Sequence, residues 1–253
     1  VDLMKEEGVE FVTGVEVGRD YSVSDMRNNY DSMVLCCGAT KPRDLPIAGR
    51  DLNGIHQAID YLTVNTQWLL GNCQGRPLID AADKDVIVIG GGDTGTDCVG
   101  TALRQNCRSL TQIEIFPKFP DSVPWPQFGR TSKPDYGQEE AAEAFGNDPR
   151  VYSVTAQQFV SGADGHVSGT QLVNVDWSSG KPEPIPDSNR TISSRLVLLS
   201  MGFLGPEDYI VEKLSLDRDE RSNVASSYGE FTTNIEGIFV AGDIRRGASL
   251  VVW

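Results

Sequence analysis

The clearest hydrophobic pattern along the chain lies between residues 86 and 116. Val86–Ile89 is an unbroken run of β-branched apolar residues, which predicts a buried strand. Apolar residues then recur at helical spacing over Asp93–Asn106, and Thr111–Phe116 has the composition of a second strand. This order predicts a β-α-β unit, in which a helix joins two parallel strands.

The rest of the chain also alternates between strand and helix patterns. Three apolar runs end at or near a glycine, as buried parallel strands do: Met33–Cys37, Arg195–Ser200 and Gly237–Ala241. Helices are predicted over Ile55–Leu70 and Gln138–Phe145, an antiparallel meander over Val151–Trp177, and a short strand over Val9–Val12 after a helix that Gly8 ends. Together these elements predict an α/β fold.

Charge and composition exclude several classes of partner. The chain has 36 acidic and 22 basic residues, a net charge of -14, and no cluster of Lys and Arg, so we expect no nucleic-acid partner. No apolar run approaches the roughly 20 residues that cross a bilayer, so we expect no membrane partner. The five cysteines are scattered without a C-x-x-C pair, which argues against a disulfide framework or a metal site. We therefore expect an intracellular protein, in the cytoplasm or an organelle, and not a secreted one.

The segment between the first strand and helix carries the candidate chemistry. Gly90, Gly92 and Gly95 form a G-x-G-x-x-G pattern directly after a predicted strand and at the start of a predicted helix. The first glycine permits a tight turn, the second allows a pyrophosphate to approach the backbone, and the third allows close packing of helix on strand. This context predicts a dinucleotide site of the Rossmann type. Asp93 is either a ligand or the N-cap of the helix.

The end of the second strand bears on the choice between NADH and NADPH. Glu114 lies 24 residues after Gly90, where an acid that binds the ribose is expected, although an inert strand carboxylate is an equal alternative. Lys118 is the only cation near this strand end, and no arginine is placed to bind a 2′-phosphate. NADH is therefore favoured over NADPH.

Five segments carry a family resemblance that covers nearly the whole chain. They are GATKPRDLPIAG at 38–49, VIVIGGGDTGTDCVGTALRQ at 86–105, DYGQEEA at 135–141, MGFLGPE at 201–207 and FVAGDIRRGASLVVW at 239–253. These segments resemble the small subunit, or C-terminal region, of pyridine-nucleotide-dependent glutamate synthases. These enzymes are flavoprotein reductases in which an NAD(P)H domain is inserted into an FAD domain.

The resemblance implies two cofactor sites. A nicotinamide cofactor would be bound by Gly90, Gly91, Gly92, Asp93, Thr94 and Gly95, and FAD by Gly38, Gly242 and Asp243. Ser249 and Leu250 would begin a helix beside the flavin pyrimidine ring, where the helix dipole favours the anionic reduced flavin. The family has a glutamine before this pair, whereas this chain has Ala248, so only backbone contacts carry over at that position.

The resemblance also implies a domain plan and a reaction. An NAD(P)-binding domain over 51–203 would lie between two parts of an incomplete FAD-binding domain, at 1–50 and 204–253. The family's FAD pyrophosphate loop and cluster cysteines lie upstream of the matched region. Since the chain begins at Val1 and ends at Trp253, we expect it to be part of a longer sequence. A hydride would pass from NADH or NADPH to FAD, and electrons would continue through iron–sulfur clusters and FMN of the complete enzyme. The partner would be the large subunit or N-terminal region. Since the cofactors do the chemistry, we assign no acid–base residue.

Two alternatives compete with this interpretation. A disulfide reductase of the thioredoxin reductase type needs a spaced cysteine pair, whereas Cys36 and Cys37 are adjacent in a strand predicted to be buried. A non-catalytic NAD-binding module would not need the Gly242-Asp243 motif. The two histidines, His56 and His166, are expected to have structural or solvent-exposed roles.

Overall fold

The structure is a computed structural model that describes residues 1–118, 135–227 and 229–249. The chain divides into two compact units: a first unit of residues 1–43 with 202–253, and a second unit of residues 44–201. The second unit is therefore inserted between two segments of the first. No described helix has the length and apolar composition needed to cross a membrane.

The strands, in chain order, are β1 (Met33–Leu35), β2 (Lys41–Pro42), β3 (Ile55–Gln57), β4 (Asp85–Ile89), β5 (Ser109–Glu114), β6 (Arg150–Tyr152), β7 (Val154–Ser161), β8 (Val167–Asp176), β9 (Glu183–Pro184), β10 (Arg190–Ser193), β11 (Leu196–Leu199), β12 (Phe203–Gly205) and β13 (Ile238–Val240). The helices are α1 (Asp2–Glu6), α2 (Val23–Asn29), α3 (Ala58–Leu69), α4 (Gly92–Arg104), α5 (Tyr136–Phe145), α6 (Asp208–Lys213) and α7 (Asp243–Arg246).

A parallel sheet of five strands forms the centre of the second unit, in the order β3-β11-β4-β5-β6. Val86 and Val88 of β4 face a cluster that includes α3 and α4, whereas Ile87 and Ile89 face the opposite cluster. Because successive side chains of a strand point to opposite faces, both faces of this apolar strand are buried. The predicted β-α-β unit is confirmed by β4, α4 and β5.

An antiparallel layer covers the second face of this sheet. β7 pairs with β8, and β8 also pairs with β9 and β10, which confirms the predicted meander. Phe159, Leu172 and Val154 of this layer belong to the same buried cluster as Ile87 and Ile89. β6 departs from the prediction because it joins the parallel sheet beside β5.

The first unit has two small pairs of strands. β1 and β13 pair in parallel, and β2 and β12 pair antiparallel. Its core is formed by side chains of β1, β13, α6 and α7, among them Leu35, Ile210, Val211, Val240 and Ile244. The predicted α/β fold class is confirmed.

Three details of the sequence prediction are wrong. Val9–Val12 forms no strand, because a strand needs a hydrogen-bonded partner and no described segment pairs with it. Ile55–Gln57 is a strand and not the start of the predicted helix, because pairing with β11 overrides the local helical pattern. Cys36 and Cys37 are exposed residues after β1 and do not lie in a buried strand.

Candidate functional site

The loop from Gly90 to Gly92 leaves the carboxyl end of β4 and leads into α4. Gly90 has a φ of 108°, and a Cβ there would lie 2.2 Å from the backbone oxygen of Ser200. Gly92 has a φ of 77°, and no atom of the described residues lies within 4 Å of the place where its Cβ would be. The loop is thus closely packed at its first glycine and open at its second. An open second glycine fits the approach of a pyrophosphate.

The start of α4 supplies the groups that attract an anion. Gly91 is the N-cap of this helix, and the helix continues for 13 residues from Gly92. The first N–H groups of a helix have no partners within the helix, and the helix dipole places partial positive charge there. Because Gly91 is the N-cap, Asp93 lies in the first turn of α4, and the interpretation of Asp93 as the N-cap is wrong. Its role as a ligand, with that of Thr94, stays a prediction.

The third glycine packs against the sheet, as the pattern predicts. A Cβ at Gly95 would lie 2.9 Å from the carbonyl oxygen of Gly90 and 2.8 Å from Nε2 of Gln112. Gln112 is in β5 and is 1% exposed. A buried glutamine side chain thus lies directly beneath the glycine loop.

Glu114 ends β5 beside this loop and is buried. Desolvation raises the pKa of its carboxyl, while the backbone N–H of Phe116, which donates to it at 3.1 Å, and the nearby backbone of Gly91 oppose that rise. The structure thus brings Glu114 and the glycine loop together. Its predicted contact with a ribose remains a prediction.

The segment after β5 is held by an aromatic pair. The indole Nε1 of Trp177 donates to the carbonyl of Ile115 at 2.8 Å, and its ring stacks on Phe116 with centroids 4.8 Å apart. The backbone that follows Glu114 is therefore fixed by a residue of the antiparallel layer.

One buried hydroxyl beside the loop has no hydrogen-bond partner among the described residues. Ser200 follows β11, is 6% exposed, and its backbone oxygen faces Gly90. No described residue forms a hydrogen bond with its Oγ. A buried hydroxyl without a partner costs free energy, so this atom suits contact with a polar ligand or a water molecule.

The predicted FAD residues of the first unit lie at one edge of its parallel strands. Gly38 follows β1, and Gly242 and Asp243 follow β13. Gly242 has φ 75° and ψ −151°, a conformation that essentially only glycine adopts. Ser249 follows α7, and its hydroxyl lies 3.2 Å from a carboxylate oxygen of Asp243. Leu250 lies outside the described residues, so the predicted helix start at 249–250 stays a prediction.

The two histidines lie near the amino ends of the parallel strands of the second unit, at the end of the sheet opposite to the glycine loop. Both line a pocket of about 330 Å³ near the amino ends of β3 and β11. Burial lowers the pKa of His56. Neither histidine lines the glycine loop.

The cysteines separate into exposed and buried groups. Cys36, Cys37 and Cys73 are exposed, whereas Cys98 and Cys107 are buried in the core around α4. Burial raises the pKa of the Cys107 thiol to about 11. Such a thiol carries little thiolate at neutral pH, so Cys107 is poorly suited to dithiol exchange.

Sequence reasoning missed four residues around the loop: Gln112, Gln138, Trp177 and Ser200. The signal for Gln112 is a polar residue in the middle of a strand predicted to be buried. Gln138 begins a predicted helix and lies in the segment DYGQEEA of the resemblance, but neither observation places it beside the glycine loop. No local signal marks Trp177 or Ser200, because their neighbours are distant in sequence.

Known proteins resemble this chain over its whole length. It is 42% identical to the glutamate synthase (NADH) of Schizosaccharomyces pombe, covering 100% of this chain and 13% of that protein. It is 40% identical to the glutamate synthase (NADPH) small chain of Bacillus subtilis and 42% identical to that of Mycobacterium tuberculosis, each over 100% of this chain. The chain spans about half of those small chains, at 53% and 52% of their lengths.

Solved structures and a family pattern agree with the fold. FprA of Mycobacterium tuberculosis in complex with NADPH has a TM-score of 0.66 and 16% identity, over 94% of this chain and 63% of that one. Thioredoxin reductase of T. acidophilum has a TM-score of 0.57 and 16% identity, over 86% and 58%. The model of the pyridine nucleotide-disulphide oxidoreductase family matches residues 2–128, which is half of the sequence, and the chain therefore belongs to this family.

Proposed function

We propose that this chain belongs to the electron-input part of a glutamate synthase. In this proposal the second unit is the NAD(P)-binding domain and binds NADH or NADPH at its glycine loop, and the first unit belongs to the FAD-binding domain. The observation that carries the proposal is the loop from Gly90 to Gly95, with its open second glycine and its packed third glycine. The 40–42% identity to glutamate synthases selects this reaction among those of the family.

The second unit contributes binding and orientation. Backbone N–H groups at the start of α4 would face the pyrophosphate, and the absence of a Cβ at Gly92 leaves room for it. Gly91 and Thr94, which lie in the same turn, would also help to bind the nicotinamide cofactor. Ser200 Oγ provides a buried hydroxyl at the carboxyl end of β11, the edge of a parallel sheet where ligands of such folds bind.

The first unit would hold FAD through Gly38, Gly242 and Asp243. Gly38 and Gly242 have positive φ, and within the part of the chain that the structure describes neither has an atom within 4 Å of its Cβ position, so the backbone is open to a close ligand. When both cofactors are bound, the nicotinamide supplies a hydride and the flavin accepts it. Ser249 and Leu250 would begin the helix beside the flavin.

The whole enzyme would use these electrons for reductive synthesis of glutamate from glutamine and 2-oxoglutarate. The partner would be the glutamate synthase large subunit or the corresponding N-terminal region. Iron–sulfur clusters and FMN would belong to that complete enzyme. The relatives in which the chain occupies 13% and 53% of the length are consistent with such a larger assembly.

The first test uses Gly92→Asp in the full-length protein. The carboxylate would be placed where the pyrophosphate approaches, so NADH binding should be abolished while flavin content stays near normal. Gly180→Asp is the matched control, because Gly180 also has a positive φ and no atom within 4 Å of its Cβ position. Unchanged NADH affinity in Gly92→Asp would refute the site.

The second test compares the two electron donors. Of the described cations near the end of β5, Arg150 is bonded to Asp148 at 2.7 Å, and Lys118 interacts with the same carboxylate. A 2′-phosphate without a charged partner should lose about 1.5–3 kcal/mol, which is roughly ten- to hundred-fold in kcat/KM in favour of NADH. A tenfold preference for NADPH in steady-state kinetics would contradict this proposal.

A further inference from the structure

A chain of buried polar side chains links α5 to the glycine loop. Thr96, Gln112 and Gln138 are 5%, 1% and 3% exposed. Burying an amide without hydrogen bonds costs several times more than burying a bonded one. Both glutamine side chains form hydrogen bonds, and the atoms to which they bond determine how the glycine loop is held.

The direction of these hydrogen bonds is set by a backbone group at the start of α5. The N–H of Asp135 donates to Oε1 of Gln138 at 3.1 Å, as part of the capping box of this helix. The other side of the amide is therefore Nε2, which donates to Oε1 of Gln112 at 2.9 Å and to the hydroxyl of Thr96 at 3.1 Å.

Gln112 transmits this direction to the loop. Because its Oε1 accepts from Gln138, its Nε2 is the atom that faces the carbonyl of Gly90, and it donates to that carbonyl at 3.1 Å. A reversed amide at Gln112 would place two acceptors against each other at Gly90, and a reversed amide at Gln138 would do the same at Gln112.

The C=O of the peptide between Gly90 and Gly91 is held by a buried side chain. Gln112 donates to this C=O at 3.1 Å, and the Glu114 carboxylate lies on the N–H side, where Gly91 opposes the rise of its pKa. These two residues are two positions apart in β5, so their side chains leave the same face of the sheet. Since a planar trans peptide has its C=O and N–H on opposite sides, a donor at the C=O and a carboxylate near the N–H favour one orientation of the peptide plane.

We propose that Gln112 and Gln138 are positioning residues that set the orientation of the Gly90–Gly91 peptide and thereby the affinity of the loop for a dinucleotide. This inference rests on the proposed nicotinamide site. Neither side chain contacts the cofactor in this proposal. The capping box of α5 acts on the glycine loop only by fixing which amide atom of Gln138 faces Gln112, and thereby which amide atom of Gln112 faces Gly90.

The test is Gln138→Glu in the full-length protein, with NADH affinity measured by fluorescence titration across pH. When ionised, the new carboxylate presents an acceptor to Gln112, which then turns its amide and faces Gly90 with Oε1. When protonated, the acid donates to Gln112 and restores the original direction. Burial should raise the pKa of this carboxyl, so NADH should bind at least about tenfold more weakly near pH 8 than near pH 6. The unmodified protein should show no such change.

Two further measurements separate this role from a loss of stability. KM for NADH should follow the same pH profile, whereas the rate of flavin reduction at saturating NADH should stay unchanged. Gln105→Glu is the matched control, because Gln105 also accepts from a backbone N–H, that of Ala81, at the other end of α4. It should leave NADH affinity independent of pH.

Two results overturn the inference. If Gly92→Asp abolishes NADH binding but Gln138→Glu follows the pH profile of the unmodified protein, the positioning role is wrong while the site stands. If Gln138→Glu does not fold, Gln112→Glu gives the same readout, because its protonated acid can donate to the Gly90 carbonyl and its ionised form cannot. A flat profile for Gln112→Glu also overturns the inference. If Gly92→Asp binds NADH normally, the proposed function itself fails.

Discussion

The two units use the same local plan, a parallel strand followed by a glycine, but they surround that glycine differently. In the second unit, Gly90 follows β4 and its Cβ position lies 2.2 Å from a backbone oxygen. In the first unit, Gly38 follows β1 and no described atom lies within 4 Å of its Cβ position. The loop at Gly90 is thus held by contacts with buried neighbours, whereas the loop at Gly38 depends on its backbone conformation.

The sheets differ in the same way. β4 is buried along its whole length, whereas Val34 in the middle of β1 is 63% exposed. A strand buried on both faces restricts substitutions at every position, and a strand exposed on one face restricts only alternate positions. Matched substitutions in the two units should therefore have unequal effects.

The largest difference is expected between Gly90→Ala and Gly38→Ala. Both add a Cβ to a residue of positive φ, which costs about 1–2 kcal/mol. Gly90→Ala also forces the Cβ against Ser200, so its total cost should be about 3 kcal/mol or more. Calorimetric melting of both variants measures the difference. Equal falls in Tm would mean that the two loops are equally open.

A smaller difference is expected between Asp85→Asn and Asp208→Asn. Asp85 is buried at the start of β4 and accepts from Arg108 at 2.5 Å, Ser193 at 2.7 Å and Ser109 at 2.7 Å. Asp208 of the first unit is about half exposed, with 47% of its side chain accessible, and is paired with Lys41 and Arg218. Asp85→Asn should cost about 1.5–3 kcal/mol, because the buried carboxylate loses its charge-assisted hydrogen bonds, and Asp208→Asn should cost less.

The bond between Asp85 and Arg108 also predicts how the stability of the fold depends on pH. The bond from Arg108 holds the pKa of the Asp85 carboxyl well below its usual value. The folded state therefore binds this proton less readily than the unfolded state does. The stabilisation is complete above the usual aspartate pKa of about 3.9 and is lost as the pH falls below it. Acid unfolding curves of the unmodified protein and Asp85→Asn should converge at low pH, and curves that stay parallel would contradict this.

The smallest difference is expected between Tyr61→Phe and Tyr209→Phe. Tyr61 is fully buried in the second unit and donates to Oε1 of Gln105 at 2.9 Å, whereas Tyr209 of the first unit is 37% exposed. Loss of the buried hydrogen bond should cost about 1 kcal/mol. Tyr209→Phe should leave Tm unchanged. Equal stability of the two variants would show that the Tyr61 hydroxyl contributes nothing.

Much of the candidate site could be predicted because its signals are local. Gly90, Gly92 and Gly95 have a fixed spacing between a strand and a helix, and the structure gives the first two positive φ and packs the third on the sheet. The prediction at Ile55–Gln57 failed because its residues suit a helix locally, and only β11, far away in sequence, makes them a strand. Val9–Val12 failed for the converse reason, since it has a strand pattern and no paired strand among the described residues.

The sequence by itself determined the order of the elements and the position of the glycine loop. Both depend on neighbours a few residues apart, through hydrophobic periodicity and the backbone freedom of glycine. Only the tertiary structure decided what holds that loop. The amide of Gln112, the capping box around Gln138 and the carboxylate of Glu114 come from segments separated in the chain, and they meet only when β4, β5 and α5 pack together. Hydrogen-bond direction depends on which atoms face each other, and that is a property of the packed fold.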